Sequence, residues 1–210
     1  MKIVVFGANG RVGSKIVSKL LASGHKVIAF VHSDNYSEEH QNLKIITGDV
    51  HDAASVNRAI AGSDAVVSAL GSWNTATKDI QVEGMKNIIP AMKTNKIDRI
   101  ISLTGSGARD TSDKQNIFAT LNRLAILLVA KKVFKDGEDH IALLHDSQLA
   151  WTVVRSPAML KSVGKTGFKL SKSSPSPWAT IIRDDVALAM SELVCNREWL
   201  QDSPFIRRSK

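Results

Sequence analysis

The sequence predicts an α/β fold: a doubly wound parallel sheet with helices on both faces and a small irregular C-terminal region on the substrate side. Three observations predict it. Short β-branched runs alternate with helix-period stretches through the first 105 residues, the pattern of a parallel sheet covered by helices. A glycine turn, Gly7-Ala8-Asn9-Gly10-Arg11-Val12-Gly13, separates the first such pair. The first, fourth and fifth strands each end in a small-residue turn, and open parallel sheets bind ligands at the carboxyl ends of their strands.

Taken in order, Ile3 to Phe6 is apolar and β-branched and reads as the first strand. Apolar residues at Val12, Ile16, Val17, Leu20 and Leu21 then follow helical spacing up to Gly24. Lys26 to Val31 and Leu43 to Thr47 are the second and third strands. Asp52 is placed to cap a helix running to Ile60, closed by Gly62. Ala65 to Leu70 is the fourth strand, Lys78 to Lys93 a helix with Pro90 near its end, and Arg99 to Thr104 the fifth strand. Beyond it, Asn116 to Phe134 reads as a long amphipathic helix and Glu138 to Asp146 as a shorter one. Trp151 to Val154 is the sixth strand. Residues 161–178 read as a surface loop with a short strand at Phe168 to Leu170, and Asp184 to Val194 as a final helix. One domain over residues 1–210 is expected, with 156–210 supplying the substrate side.

Composition narrows the function classes. A chain of 210 residues with 43% hydrophobic and 23% charged residues has a globular balance and can bury roughly 70–75% of its unfolded surface. Its one cysteine excludes a disulfide framework or multi-cysteine metal site and fits a reducing cytoplasm, and no metal site is expected. No apolar run reaches the roughly 18 residues of a membrane span, and glycine ends the first apolar run too early for a signal peptide. The net charge of +8 is compatible with an anionic ligand. Its basic residues are scattered, apart from Lys131-Lys132 and the C-terminal Arg207-Arg208-Ser209-Lys210. Aromatics at 5% are too few for a base-stacking platform, which argues against nucleic acid.

The glycine turn carries the most specific chemistry. Gly7 permits the tight turn, Gly10 lets the backbone approach a pyrophosphate, and Gly13 lets the helix pack on the strand. Asn9, Arg11 and Val12 complete a cradle whose N–H groups and helix dipole hold phosphates. At the end of the second strand, a basic group accommodates the 2′-phosphate of NADP and an acid accepts from the ribose hydroxyls of NAD. His32 and Ser33 stand there, with Arg11 nearby in the loop and Asp34 further on. This favours NADP while leaving NAD open. The alternative for His32 is an exposed loop histidine. Asp49 is placed either to meet the ligand or to cap the following helix.

On these residues the chain resembles the atypical short-chain dehydrogenase/reductase superfamily of NAD(P)-binding Rossmann proteins, in the branch holding NmrA-like proteins, biliverdin reductase B and flavin reductase-like proteins. The matching blocks span nearly the whole chain: residues 7–13, Gly48-Asp49-Val50 with Asp52, Asp64 to Gly71, Glu83 to Ile89, Arg99 to Thr104, Leu149 to Arg155 with Pro157, and Ile182 to Ala187. The resemblance places Asp49 and Val50 near adenine, and Ala69, Leu70 and Gly71 beside the ribose and nicotinamide. Thr104 and Pro157 complete the cofactor set it implies.

The proton donor common in that superfamily is missing. Tyr-x-x-x-Lys cannot be built, because the only tyrosine is Tyr36, in the loop after the second strand. The remaining donors are Thr104, Ser106, His140, a lysine of the long helix, or water. His140 has a near-neutral intrinsic pKa, against the alternative of a core or surface histidine, and His145 reads as a surface residue. Cys195 reads as a buried apolar residue on the last helix. Lys161, Lys165, Lys169 and Lys172 either attract an anionic substrate or are solvated charges. Hydride transfer to a delocalised acceptor needs little acid assistance. The sequence therefore predicts a cytoplasmic NAD(P)H-dependent oxidoreductase, monomer or homodimer, acting on a conjugated or anionic small molecule such as a flavin, quinone or tetrapyrrole. A cofactor-binding sensor with little turnover is the rival reading, and an epimerase-like isomerase the third.

Overall fold

The computed structural model describes residues 1–33, 36–75, 77–113, 117–161, 167–176 and 178–209; side chains of residues 74 and 117–130 are outside that description. Asp34, Lys165 and the expected helix start at Asn116 lie outside the described residues. The first half follows the sequence closely: β1 (Lys2–Phe6), α1 (Gly13–Ala22), β2 (Lys26–Val31), β3 (Leu43–Thr47), α2 (Ala53–Ile60), β4 (Ala65–Ser68), α3 (Ile80–Thr94) and β5 (Arg99–Gly105). A short 3-10 turn, Ser72–Asn74, follows β4.

The second half departs more. The two expected helices are one, α4 (Ile117–His145), which runs straight through Gly137. Glycine there answers a packing need: a Cβ at Gly137 would stand 2.5 Å from Thr104 Oγ1 and 2.8 Å from the Ala108 side chain. Then come β6 (Ala150–Ser156), β7 (Ala158–Leu160), β8 (Phe168–Ser171), β9 (Thr180–Ile182), α5 (Arg183–Leu193) and β10 (Phe205–Arg208). The last strand pairs parallel to β6 at Phe205–Arg155 and antiparallel to β8. Cys195 lies past the end of α5 and is exposed, not buried.

The main sheet runs β3-β2-β1-β4-β5-β6-β10-β8, and β7 and β9 form a separate parallel pair. The order 3-2-1-4-5-6 is that of a doubly wound sheet. Alternation along each strand sends neighbouring side chains to opposite faces. Ile3 and Val5 join Ile16, Leu20, Val186 and Met190 under α1 and α5, while Val4 and Phe6 join Val56, Met85, Ile88 and Ile141 under α2, α3 and α4. Chain direction around the sheet reverses between β1 and β4, which opens a crevice at their carboxyl ends. Among the described residues, no helix is long and apolar enough to cross a membrane.

Candidate functional site

A cleft of about 2770 Å³ opens at the carboxyl ends of the central strands. Its floor begins with the glycine turn. Gly7 has φ +73°, a conformation that favours glycine, and its carbonyl accepts from Gly10 N at 2.9 Å. A Cβ on Gly13 would stand 2.0 Å from Gly7 O, so only hydrogen lets α1 begin this close to β1. A Cβ on Gly10 would meet only Gly7 O, at 3.0 Å, and Gly10 has no positive φ. The left-handed backbone is therefore at Gly7 and not at Gly10. No acid occupies the first turn of α1, and its N-cap, Val12, makes no side-chain cap hydrogen bond. The positive end of this helix is thus not neutralised from within, which suits an external phosphate. Asn9, Gly10 and Arg11 are exposed at the cleft.

Where β2 and β3 end, Gly48 N donates to Val31 O at 2.9 Å and ties the two turns together. His32 and Ser33 are exposed on the cleft wall. Asp49 accepts from the His51 backbone N–H at 2.9 Å and pairs with its ring Nδ1 at 2.7 Å. These bonds hold its carboxyl below the usual range, with a smaller contribution from His32. The helix cap is Asp52, which accepts from Ala54 N at 3.0 Å and Ser55 N at 3.2 Å. Asp49 is left facing the cleft and is not needed for capping. Val50 is nearly buried and its carbonyl accepts from Asn87 Nδ2 at 2.7 Å.

At the end of β4, Ala69 N donates to Phe6 O at 2.9 Å, and Ala69, Leu70 and Gly71 line the cleft. The next residues are held by Asp136 of α4. This buried carboxylate accepts from Ser72 Oγ, from Gln81 N and Nε2 at 3.3 and 3.1 Å, and from Val82 N at 2.9 Å. It caps α3 from another helix. On β5, Thr104 is 6% exposed. Ser106 N donates to Ser156 O at 2.8 Å, and Thr104, Ser106 and Pro157 all line the cleft.

His140 is elsewhere. Its ring is fully buried on the helical side of β5, where Nε2 meets Ser102 Oγ at 2.8 Å, and it does not line the cleft. Burial pushes its pKa down to about 4, against a weak opposing contact with the Gly137 backbone. The expectation of a titratable donor at the site gives way to a neutral core histidine. Tyr36 packs against the α1 side of the core and its hydroxyl donates to Glu38 at 2.9 Å; burial drives its pKa up. His145 is also a structural partner, with Nε2 3.1 Å from Asp110 and its ring edge-on to Trp151. Lys172 pairs with Asp202.

Sequence reasoning missed the clamp on the loop after β5. Arg155 of β6, 2% exposed, bonds Asp113 and the carbonyls of Ala108 and Ser203. The legible signal was an arginine closing an apolar strand.

Comparison with known proteins places this geometry. A family model described as NAD(P)H-binding matches residues 7–197. The fold is similar to that of ChuY, an anaerobillin reductase from Escherichia coli O157:H7, at TM-score 0.80 and 20% identity, covering 100% of this chain and 98% of that one. It is similar, too, to a candidate NADH-flavin reductase from Streptococcus pneumoniae TIGR4, at TM-score 0.77 and 21% identity, covering all of both chains. These likenesses are of fold. Among curated proteins, a 2-alkyl-3-oxoalkanoate reductase from Stenotrophomonas maltophilia is 32% identical over 106 residues, 48% of this chain and 32% of its own length. The chain spans from 12% to 76% of the length of such relatives, and about a third or less of the first of them.

Proposed function

Because the chain belongs to the NAD(P)H-binding family, we propose that it is an NAD(P)H-dependent reductase that delivers hydride to a conjugated acceptor such as a flavin, quinone or tetrapyrrole. The observation that carries this reading is the cradle at Gly7, Gly10 and Gly13, opening into a cleft large enough for a dinucleotide and a second ligand. The residues present fit the cofactor: a Cβ at Gly10 would enter the space a pyrophosphate needs, and the first turn of α1 supplies no competing acid.

In this reading Asn9, Gly10, Arg11, Val12 and Gly13 hold the pyrophosphate against the start of α1. Arg11, His32 and Ser33 flank the ribose end, which favours NADP over NAD. Asp49 and Val50 border adenine, with the Asp49 carboxylate accepting from an exocyclic amine. Ala69, Leu70, Gly71 and Pro157 wall the reacting end. A bound reduced nicotinamide would supply hydride there. Thr104 and Ser106 donate hydrogen bonds to the acceptor as its charge grows, and water delivers the proton, because a ring that spreads the charge needs no dedicated acid. The segment from 156 to 210 forms the acceptor side of a single domain.

NADPH oxidation in the presence of riboflavin, menadione or a linear tetrapyrrole tests the proposal. Sustained turnover with at least one acceptor supports it. Tight binding of NADPH and NADP⁺ alike, with no oxidation by any of the three, would instead support the sensor reading.

A further inference from the structure

We propose that the indole of Trp73 is the stacking wall for a flat, fused-ring acceptor of flavin type; the assignment rests on the reductase reading above. Trp73 is 61% exposed, and among the described residues it is the one exposed large apolar side chain that lines the cleft. Trp178 is exposed as well, at 91%, but does not line the cleft. What sets Trp73 apart is an amphipathic ring standing on the wall of a cleft with room for a flat ligand. Its volume of about 2770 Å³ is well above the roughly 300–1,000 Å³ of an ordinary small-ligand pocket.

Although the ring is exposed, its stem is fixed. Ser72 Oγ donates to buried Asp136, and Ser72 O accepts from Thr75 Oγ1 at 3.0 Å. Trp73 O accepts from Lys78 Nζ at 3.1 Å. Asp136 in turn gathers the first N–H groups of α3. The main chain on both sides of the tryptophan is therefore tied down before any ligand arrives, which lowers the ordering cost of binding. It lies two residues after Gly71, in the turn that follows β4, and β4 is the sheet neighbour of β5, which carries Thr104. The wall thus borders the reacting end of the cleft, remote in the sheet from the β2 and β3 ends where adenine is assigned.

Stacking of a planar heterocycle on such a ring is worth about 5- to 150-fold in affinity. Riboflavin is the probe, titrated by quenching of its own fluorescence in the presence of saturating NADP⁺, so that no turnover occurs. Wild-type protein should bind riboflavin about 5- to 150-fold more tightly than Trp73→Ala, with Trp73→Phe between them and NADP⁺ affinity unchanged. Both variants should fold, since the ring is largely in water. Riboflavin affinity within twofold for wild type and Trp73→Ala, or no riboflavin binding at all, overturns the assignment. So does a loss of NADP⁺ affinity in place of riboflavin affinity, which would make Trp73 a cofactor clamp. Trp73-dependent binding without NADPH oxidation keeps the wall and removes the reductase reading; oxidation independent of Trp73 does the reverse.

Discussion

Arg155 and Asp113 are joined by two hydrogen bonds, Nη1 to Oδ2 at 2.5 Å and Nη2 to Oδ1 at 2.7 Å. The same guanidinium reaches Ser203 O at 2.7 Å and lies 3.8 Å over the Phe205 ring. One side chain therefore ties the loop after β5 to both β6 and β10.

Breaking this pair from either side should be costly, because it strands a charge with little water. Asp113 is 25% exposed, so Asp113→Asn is expected to cost about 2–4 kcal/mol, at or slightly below the range for fully buried pairs. Arg155→Met should cost about as much, and the double variant Asp113→Asn/Arg155→Met less than the sum. Urea unfolding of the three proteins checks this; strictly additive losses would show that the two residues do not act as a pair.

Gly10→Val and Gly13→Ala should separate binding from folding. The valine Cβ meets Gly7 O at 3.0 Å, a tight but single contact, so the variant should lose much less stability than Gly13→Ala and should lose NADPH binding in calorimetric titration. The alanine Cβ would be 2.0 Å from a backbone carbonyl, so that variant should lose stability as well. A folded Gly10→Val protein with normal NADPH affinity would remove the glycine turn from the site.

Cofactor preference follows from Arg11, His32 and Ser33. NADPH should bind about 10-fold more tightly than NADH, the worth of one charged hydrogen bond. His32→Asp should reverse the order, because a carboxylate repels phosphate and accepts from ribose hydroxyls. It would also stand near Asp49, whose carboxyl already feels the His32 charge. Equal affinities in the wild type leave His32 without this role.

His140, buried away from the cleft, is expected to act on acid stability. Its folded pKa is lowered from 6.5 to about 4. The neutral ring thus stabilises the fold fully above pH 6.5, and the contribution is lost as pH falls toward 4, amounting to about 3 kcal/mol. In His140→Gln the fall in stability between pH 6.5 and 4 should be shallower. An unchanged slope means that the ring is not held neutral.

Much of this was legible in local sequence, and the failures share a cause. The glycine turn, the first five strands and the Asp52 cap are short-range patterns, and each lies where periodicity and capping chemistry put it. Two helices, ending at Phe134 and starting at Glu138, are expected where one runs through, and the packing that Gly137 permits there is against Thr104, 33 positions away in sequence. His140, Asp136 and Arg155 are polar residues whose partners lie on other elements, and no local spacing marks them. Cys195 carries no neighbours in sequence that report its exposure just beyond α5.

If the chain is the reductase proposed above, hydride leaves NADPH for a delocalised acceptor with no tyrosine acid. Stopped-flow oxidation of protein-bound NADPH by riboflavin, menadione and a linear tetrapyrrole, in wild type, Tyr36→Phe and Thr104→Ala, is the test. Tyr36→Phe should leave the rate unchanged, since its hydroxyl is bonded to Glu38 away from the cleft. Thr104→Ala should slow it by less than about 100-fold, below the upper range of a dedicated acid. Failure of bound NADPH to be oxidised by any of the three acceptors, or a thousandfold loss in Tyr36→Phe, would overturn this mechanism.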